Sequence, residues 1–212
     1  MTDLNIFFQS FYQQLVASSP IELIGVLFGI LQVWFAKANK SIHYLFGLLS
    51  ITLTLFILFE VKLYAEIILN LYYFVMSIYG WWYWFKKPAA NSNGQQPIAY
   101  ASRIEWATVA AICVVGYFLL YTVLQNFTDS DVPAADAFVA SFAWAGMWLL
   151  ARRRMENWIL LNISNFVAIP LLYHKGLVLY TLLTIFLFVM AIFGYLNWRK
   201  IIRGKAYIFS KD

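Results

Sequence analysis

Apolar residues fall into seven runs, at about 21–37, 42–59, 63–85, 104–125, 135–151, 156–173 and 177–198. Each is near the ~17–25 residues that a helix needs to cross ~30 Å of hydrocarbon. The shorter runs end in Trp, Tyr, Lys or Arg, whose side chains extend a span by reaching to the interface. Ahead of them, Leu4, Ile6, Phe7, Phe8, Phe11, Tyr12 and Leu15 alternate with Gln and Ser. That stretch, within 1–19, predicts a short amphipathic helix that lies on or packs against the membrane unit. It lacks the basic start of a cleavable signal peptide, and Asp3 is its first charge. Between the third and fourth runs, Lys86 to Arg103 includes Pro88, Asn91, Gly94 and Pro97 and predicts a solvated loop.

Two of these runs read almost as one. Residues 74–86, FVMSIYGWWYWFK, align without a gap with residues 188–200, FVMAIFGYLNWRK, and seven of the thirteen positions are identical. The same 114-residue offset places Phe28 on Phe142, Trp34 on Trp148, Glu22 on Asp136 and Lys40 on Arg154. Spans 1–3 thus repeat as spans 5–7, with span 4 as the linker. Three helices per unit would invert the second copy; one linker helix turns it back, so the copies run parallel. The predicted organisation is a first repeat over 20–87, a loop and linker helix over 88–133, a second repeat over 134–200 and a basic tail over 201–212.

Composition changes the picture only by excluding alternatives. With 63% hydrophobic and 12% charged residues, the chain lies outside the range of soluble domains, so lipid is the solvent and the fold is all-α. A net charge of +5 alone would fit a nucleic-acid binder, but the cations cluster at the ends of apolar runs and none is predicted to bind nucleic acid. Thirteen of the fifteen, from Lys37 and Lys40 to Lys205 and Lys211, fall on one side, against Lys62 and Lys175 on the other. The positive-inside rule then puts the C-terminus in the cytoplasm and the N-terminus outside. The single Cys113 offers neither a disulfide framework nor a thiolate metal site, and no metal or cofactor is expected.

Candidate chemistry lies with neutral polar groups. Apart from Glu66, one turn into span 3, the carboxylates sit at span ends, and His43 and His174 lie at boundaries, which disfavours ion coupling. Asn162, Ser164 and Asn165 occupy the middle of span 6, ahead of the helix-bending Pro170. Amides in hydrocarbon need partners, so they either glue helices or meet a ligand. Asn70, Tyr73 and Ser77 share one face of span 3 by their spacing. Gln32 and Trp34 in span 1, with Trp148 and Trp158, complete the candidate set; Trp158 could stack on a flat ring. A membrane enzyme would need a carboxylate cluster, a His pair or a nucleophile and base within the bilayer, and the spans lack them. A receptor or assembly subunit is the remaining non-transport reading.

The segment Trp148-Leu149-Leu150-Ala151-Arg152-Arg153-Arg154-Met155-Glu156-Asn157-Trp158, with Asn165, Pro170 and Lys175-Gly176, resembles the PnuC family of vitamin transporters. So does Ile78-Tyr79-Gly80-Trp81. The resemblance implies a 3+1+3 arrangement like that of SWEET sugar transporters. It also implies facilitated uptake of nicotinamide riboside, trapped by phosphorylation inside the cell, at a bacterial inner membrane. In the family pattern a Trp, a second Trp three later and an Asn four beyond fall here on Trp158, Leu161 and Asn165; the second Trp is replaced. The family often has Gln where Asn70 stands, and the Pro-Gln pair of SWEET proteins is reduced to Gln32. Thiamine-transporting relatives tend to carry Asp at the Asn165 position, so neutral Asn165 favours the riboside, with thiamine or another vitamin as the alternative. Asn165 and Asn70 would then bond the ribose or carboxamide, with ring contacts from Trp158, Trp34 and Tyr73. Oligomeric state is not readable from the residues; the resemblance admits a homotrimer.

Overall fold

The computed structural model describes residues 3–60, 64–85 and 96–209, all helical apart from short connections. The helices are α1 (Asp3–Ala17), α2 (Pro20–Lys37), α3 (His43–Glu60), α4 (Tyr64–Phe85), α5 (Arg103–Phe127), α6 (Pro133–Ala151), α7 (Asn157–His174) and α8 (Val178–Phe209). The ends of α2 to α7 fall within about two residues of the apolar runs. Among the described residues, five helices, α2, α3, α5, α6 and α8, are long and apolar enough to cross a membrane. The polar residues of α4 and α7, Asn70 and Asn165 among them, lower their hydropathy.

Local chemistry sets the starts. Ser19 caps α2 by accepting from Glu22 N (3.1 Å), with Pro20 in the first turn, where a missing N–H costs nothing. Ser102 caps α5 through a full capping box with Glu105. Gln14 of α1 serves the α7–α8 turn, donating to Gly176 O (2.6 Å) and accepting from Leu179 N (2.9 Å). The stretch read as a basic tail is helical as far as Phe209, continuing α8; 199–204 hold no helix-breaking proline. The solvated loop falls partly on residues 86–95, outside the described ones; its remainder is tied down. Ile98 is buried, Ala99 exchanges backbone bonds with the α6–α7 turn (to Arg153 O, 3.2 Å; from Met155 N, 2.9 Å), and Ala101 N donates to the Glu156 carboxylate.

Helices α2, α3, α4, α6, α7 and α8 pack neighbour on neighbour and close into a ring, because α4 rests on α6 and α8 on α2. Helix α5 lies outside, chiefly on α6, and α1 on α8. The sequence offset recurs in the bonds. Ser50 Oγ donates to Gly25 O and, 114 residues on, Ser164 Oγ donates to Val139 O, both at 2.8 Å. Trp84 Nε1 donates to Leu150 O (3.3 Å) and its counterpart Trp198 Nε1 to Ala36 O (3.2 Å). Each indole therefore adds a second donor to a carbonyl near the end of the other unit's first helix, which the following turn already bonds through Asn39 N or Arg153 N (both 2.9 Å). Gly80 and Gly194 serve one packing role: a Cβ there would come within 2.3 Å of Tyr44 Oη or 2.7 Å of the Trp158 ring. That contact accounts for the glycine shared by the two matched segments.

Glu105 pins the linker helix to this frame. Its Oε1 accepts from Arg152 Nε (3.0 Å) and Arg154 Nε (2.8 Å), and the other oxygen closes the capping box. Glu105→Ala leaves two guanidiniums without their acceptor and is expected to cost about 2 kcal/mol, less than a fully buried pair because both arginines touch solvent. Thermal unfolding in detergent measures it, and Glu105→Gln should recover part of the loss.

Candidate functional site

At the Lys- and Arg-rich end the ring is plugged. Two residues in left-handed conformations, Asn39 (φ 58°) and Arg153 (φ 55°), follow α2 and α6, and Arg153 Nη2 donates to Asn39 Oδ1 across 114 residues of sequence. Asn tolerates this conformation well, whereas Arg is held there by its surroundings. Arg153 is 3% exposed, and its guanidinium sits 4.3 Å from the centre of the Trp84 ring. Burial draws its pKa down to about 10, so it stays cationic at neutral pH. The ring face and the carbonyl ends of nearby helices replace its water. Trp84 and Trp198 meet beside it, ring centres 6.1 Å apart, with Tyr44, His43 and Trp158 packed around them.

Nearer the opposite end, a cavity of about 350 Å³ opens between α2, α3 and α8. Its polar lining is Glu22, Gln32, Ser50, Thr54 and Tyr180; Gly25 and Gly29 leave it room. That volume is within the range of small-molecule sites. Ser50 and Thr54 spend their protons on backbone carbonyls, Gly25 O and Ser50 O, and keep lone pairs for a ligand. Gln32 lies against Gly47, its amide within 3.0 Å of where a Cβ would stand.

A larger hollow of about 440 Å³ runs between α7 and α8, lined by Trp158, Ile159, Asn162, Phe166, Ala191 and Ile192. Its rim residues Ile159, Phe166 and Ile192 are exposed, so it opens on the outer apolar surface where lipid would lie.

The predicted residues divide accordingly. On α4, Leu71, Val75, Ile78 and Trp82 are exposed, which turns Asn70, Tyr73 and Ser77 to the ring's interior at 100° per residue. Ser77 is 1% exposed and its Oγ has no bonding partner. Gln32 lines the α2–α3–α8 cavity. On α7, Trp158, Asn162 and Asn165 share a stripe by their spacing, of which Trp158 and Asn162 face α8; Trp158 Nε1 and Asn162 Oδ1 are buried without partners, a state that calls for a ligand or water. Trp34 and Trp148 do not join them. Trp34 is 51% exposed with Lys37 Nζ 4.1 Å above its ring, and Trp148 packs beside Leu149 and Leu160 under Arg152. Both are anchors for interfacial cations, so their expected ring contacts with a ligand do not fit their positions.

Three residues escaped the sequence reading. Glu22 and Tyr180, bonded across α2 and α8 at 2.5 Å, were hidden in a capping sequence and an aromatic background. Arg153 read as one of three equal cations; the offset pairing it with Asn39 is the signal that sets it apart.

Comparison with known proteins gives the site its family. A sequence profile described as nicotinamide mononucleotide transporter matches residues 19–200. The nicotinamide riboside transporter PnuC of Escherichia coli K12 is 26% identical over 204 residues, covering 85% of each chain. Its namesake from Neisseria mucosa is 27% identical over 190 residues, covering 85% of this chain and 72% of that one. A crystal structure of the vitamin B3 transporter PnuC superposes with a TM-score of 0.68 at 26% identity, over 96% of this chain and 93% of the other. A match over most of the chain, from α2 into α8, is decisive, and the chain belongs to the nicotinamide mononucleotide transporter family of membrane transporters.

Proposed function

We propose that the chain carries nicotinamide riboside across the bacterial cytoplasmic membrane by facilitated diffusion. The family profile is named for the mononucleotide and the curated relatives for the riboside, which lacks the phosphate. One observation favours the riboside: the cavity lining includes a carboxylate and neutral polar groups but no Lys, Arg or His among the described residues. A phosphate entering there would lose water and gain no cation, whereas a ribose finds hydroxyls and amides and a pyridinium finds Glu22. The path runs along the axis of a 3+1+3 arrangement, units 20–87 and 134–200 joined through 88–133, with 1–19 packed alongside. The N-terminus lies outside and the C-terminus in the cytoplasm, and relative rocking of the units exposes each end in turn. Asn165, Asn70, Tyr73, Ser77, Gln32, Asn162 and Trp158 are the proposed ligand contacts, and phosphorylation inside the cell retains the product.

Uptake into proteoliposomes tests this. Labelled riboside is expected to equilibrate rapidly without accumulating, unless a riboside kinase and ATP are enclosed; the mononucleotide should be excluded. Thiamine crossing while the riboside does not would overturn the substrate assignment. Asn165→Ala should weaken riboside binding by about 1–2 kcal/mol in a titration on purified protein, and unchanged affinity would make Asn165 a packing residue.

A further inference from the structure

The two halves differ sharply at one matched pair of carboxylates. Asp136, in the first turn of α6, is neutralised: Lys175 Nζ lies 2.6 and 2.8 Å from its oxygens, and Ser130 Oγ donates to it. Its counterpart Glu22, in the first turn of α2, has Val61 at the position that the repeat offset matches to Lys175; the neighbouring Lys62 lies outside the described residues. Among the described residues Glu22 forms no ion pair. Nor is its charge used in capping. Ser19 takes the Glu22 backbone N–H, as in a capping box, but the returning bond seen from Glu105 to Ser102 N has no equivalent here. The carboxylate instead reaches across to α8 and accepts from Tyr180 Oη (2.5 Å), at the rim of the α2–α3–α8 cavity. A single hydroxyl donor leaves most of its lone pairs open.

We infer that Glu22 is a specificity residue: an uncompensated carboxylate at the cavity mouth that admits substrates bearing positive charge. A lone anion beside low-dielectric walls concentrates cations and repels anions at the entrance. The start of α2 stabilises the carboxylate while it is empty, and Tyr180 holds it over the opening. The matched Asp136, with its charge cancelled by Lys175, exerts no such selection, so the mouth is polarised on one side. The inference rests on the riboside reading and adds the feature of the riboside that is selected, its pyridinium charge rather than its sugar.

The test compares nicotinamide riboside with its dihydropyridine form, which has nearly the same shape and no charge. Purified protein in proteoliposomes, wild type and variants, is assayed for the KM of each. Glu22→Gln is expected to raise the KM of the cationic riboside about tenfold and to leave the neutral form within twofold. Glu22→Asp should keep the preference. Tyr180→Phe removes the α2–α8 bond but keeps the charge, and should keep it too. Equal losses for both substrates in Glu22→Gln, or loss of the preference in Tyr180→Phe, would make the pair a structural bolt and overturn the inference. An unaltered Glu22→Gln would overturn it as well while leaving riboside transport standing. A wild-type protein that moves neither form would overturn the transport reading itself, and the inference with it.

Discussion

Trp198→Ala is expected to lower the stability of the folded protein by about 3–5 kcal/mol, the largest effect of any single change considered. The indole is fully buried, 0% exposed, and it fills the meeting point of both units at the plugged end. Its removal leaves a cavity between Trp84, Trp158 and Gly194, and takes from the Ala36 carbonyl the indole bond of 3.2 Å, leaving it only the turn bond from Asn39 N. The lost indole bond is worth about 1 kcal/mol, and the cavity supplies the rest. Trp198→Phe separates the two contributions, since it retains most of the volume and loses the N–H. Thermal unfolding in detergent should place Phe between wild type and Ala. A Phe variant as stable as wild type would show the bond to Ala36 to be worth nothing.

Arg153→Ala removes a hydrogen bond from a charged group, a contact with the Trp84 face and the side chain that seals the ring. Together these are worth about 3 kcal/mol in favour of the state closed at that end. Arg153→Gly should be about 1 kcal/mol milder in overall stability, because glycine relaxes the left-handed backbone. The functional readout is accessibility. A Ser77→Cys reporter, in a Cys113→Ala background, sits beneath the plug at a buried position. Its labelling by an impermeant thiol reagent applied at the Lys- and Arg-rich side should rise at least tenfold in both Arg153 variants. Unchanged labelling would mean that the plug is not a gate.

Much of this architecture is legible in the sequence alone, and the reasons are physical. A helix that must satisfy its own backbone in lipid announces its length in apolar residues, so the borders of α2 to α7 could be read closely. Asn70, Tyr73 and Ser77 were recognisable as a stripe because helical spacing is exact enough over two turns to group them. What could not be read was which way a uniformly apolar helix faces. With Trp on every side, nothing in the sequence told Trp34, turned to lipid under Lys37, from Trp158, sealed against Gly194. The same limit hid Arg153: three consecutive arginines have one charge pattern, and only folding buries the middle one. Glu22 was obscured differently, since its local sequence fully explains a capping role that its side chain does not perform.

The reciprocal indole bonds carry an evolutionary implication. Trp84 of α4 bonds the end of α6 and Trp198 of α8 the end of α2, so neither of the two matched halves is complete alone; each ends in a side chain made for its partner. A half-length ancestor making both bonds with a copy of itself would be a twofold-symmetric dimer with this same seam, self-complementary by construction. Such a dimer must place identical residues on its axis. Two arginines facing each other would repel, and two asparagines would leave the space over Trp84 unfilled. The Asn39–Arg153 pair is therefore available only to a fused gene, in which each copy is free to become what its twin is not.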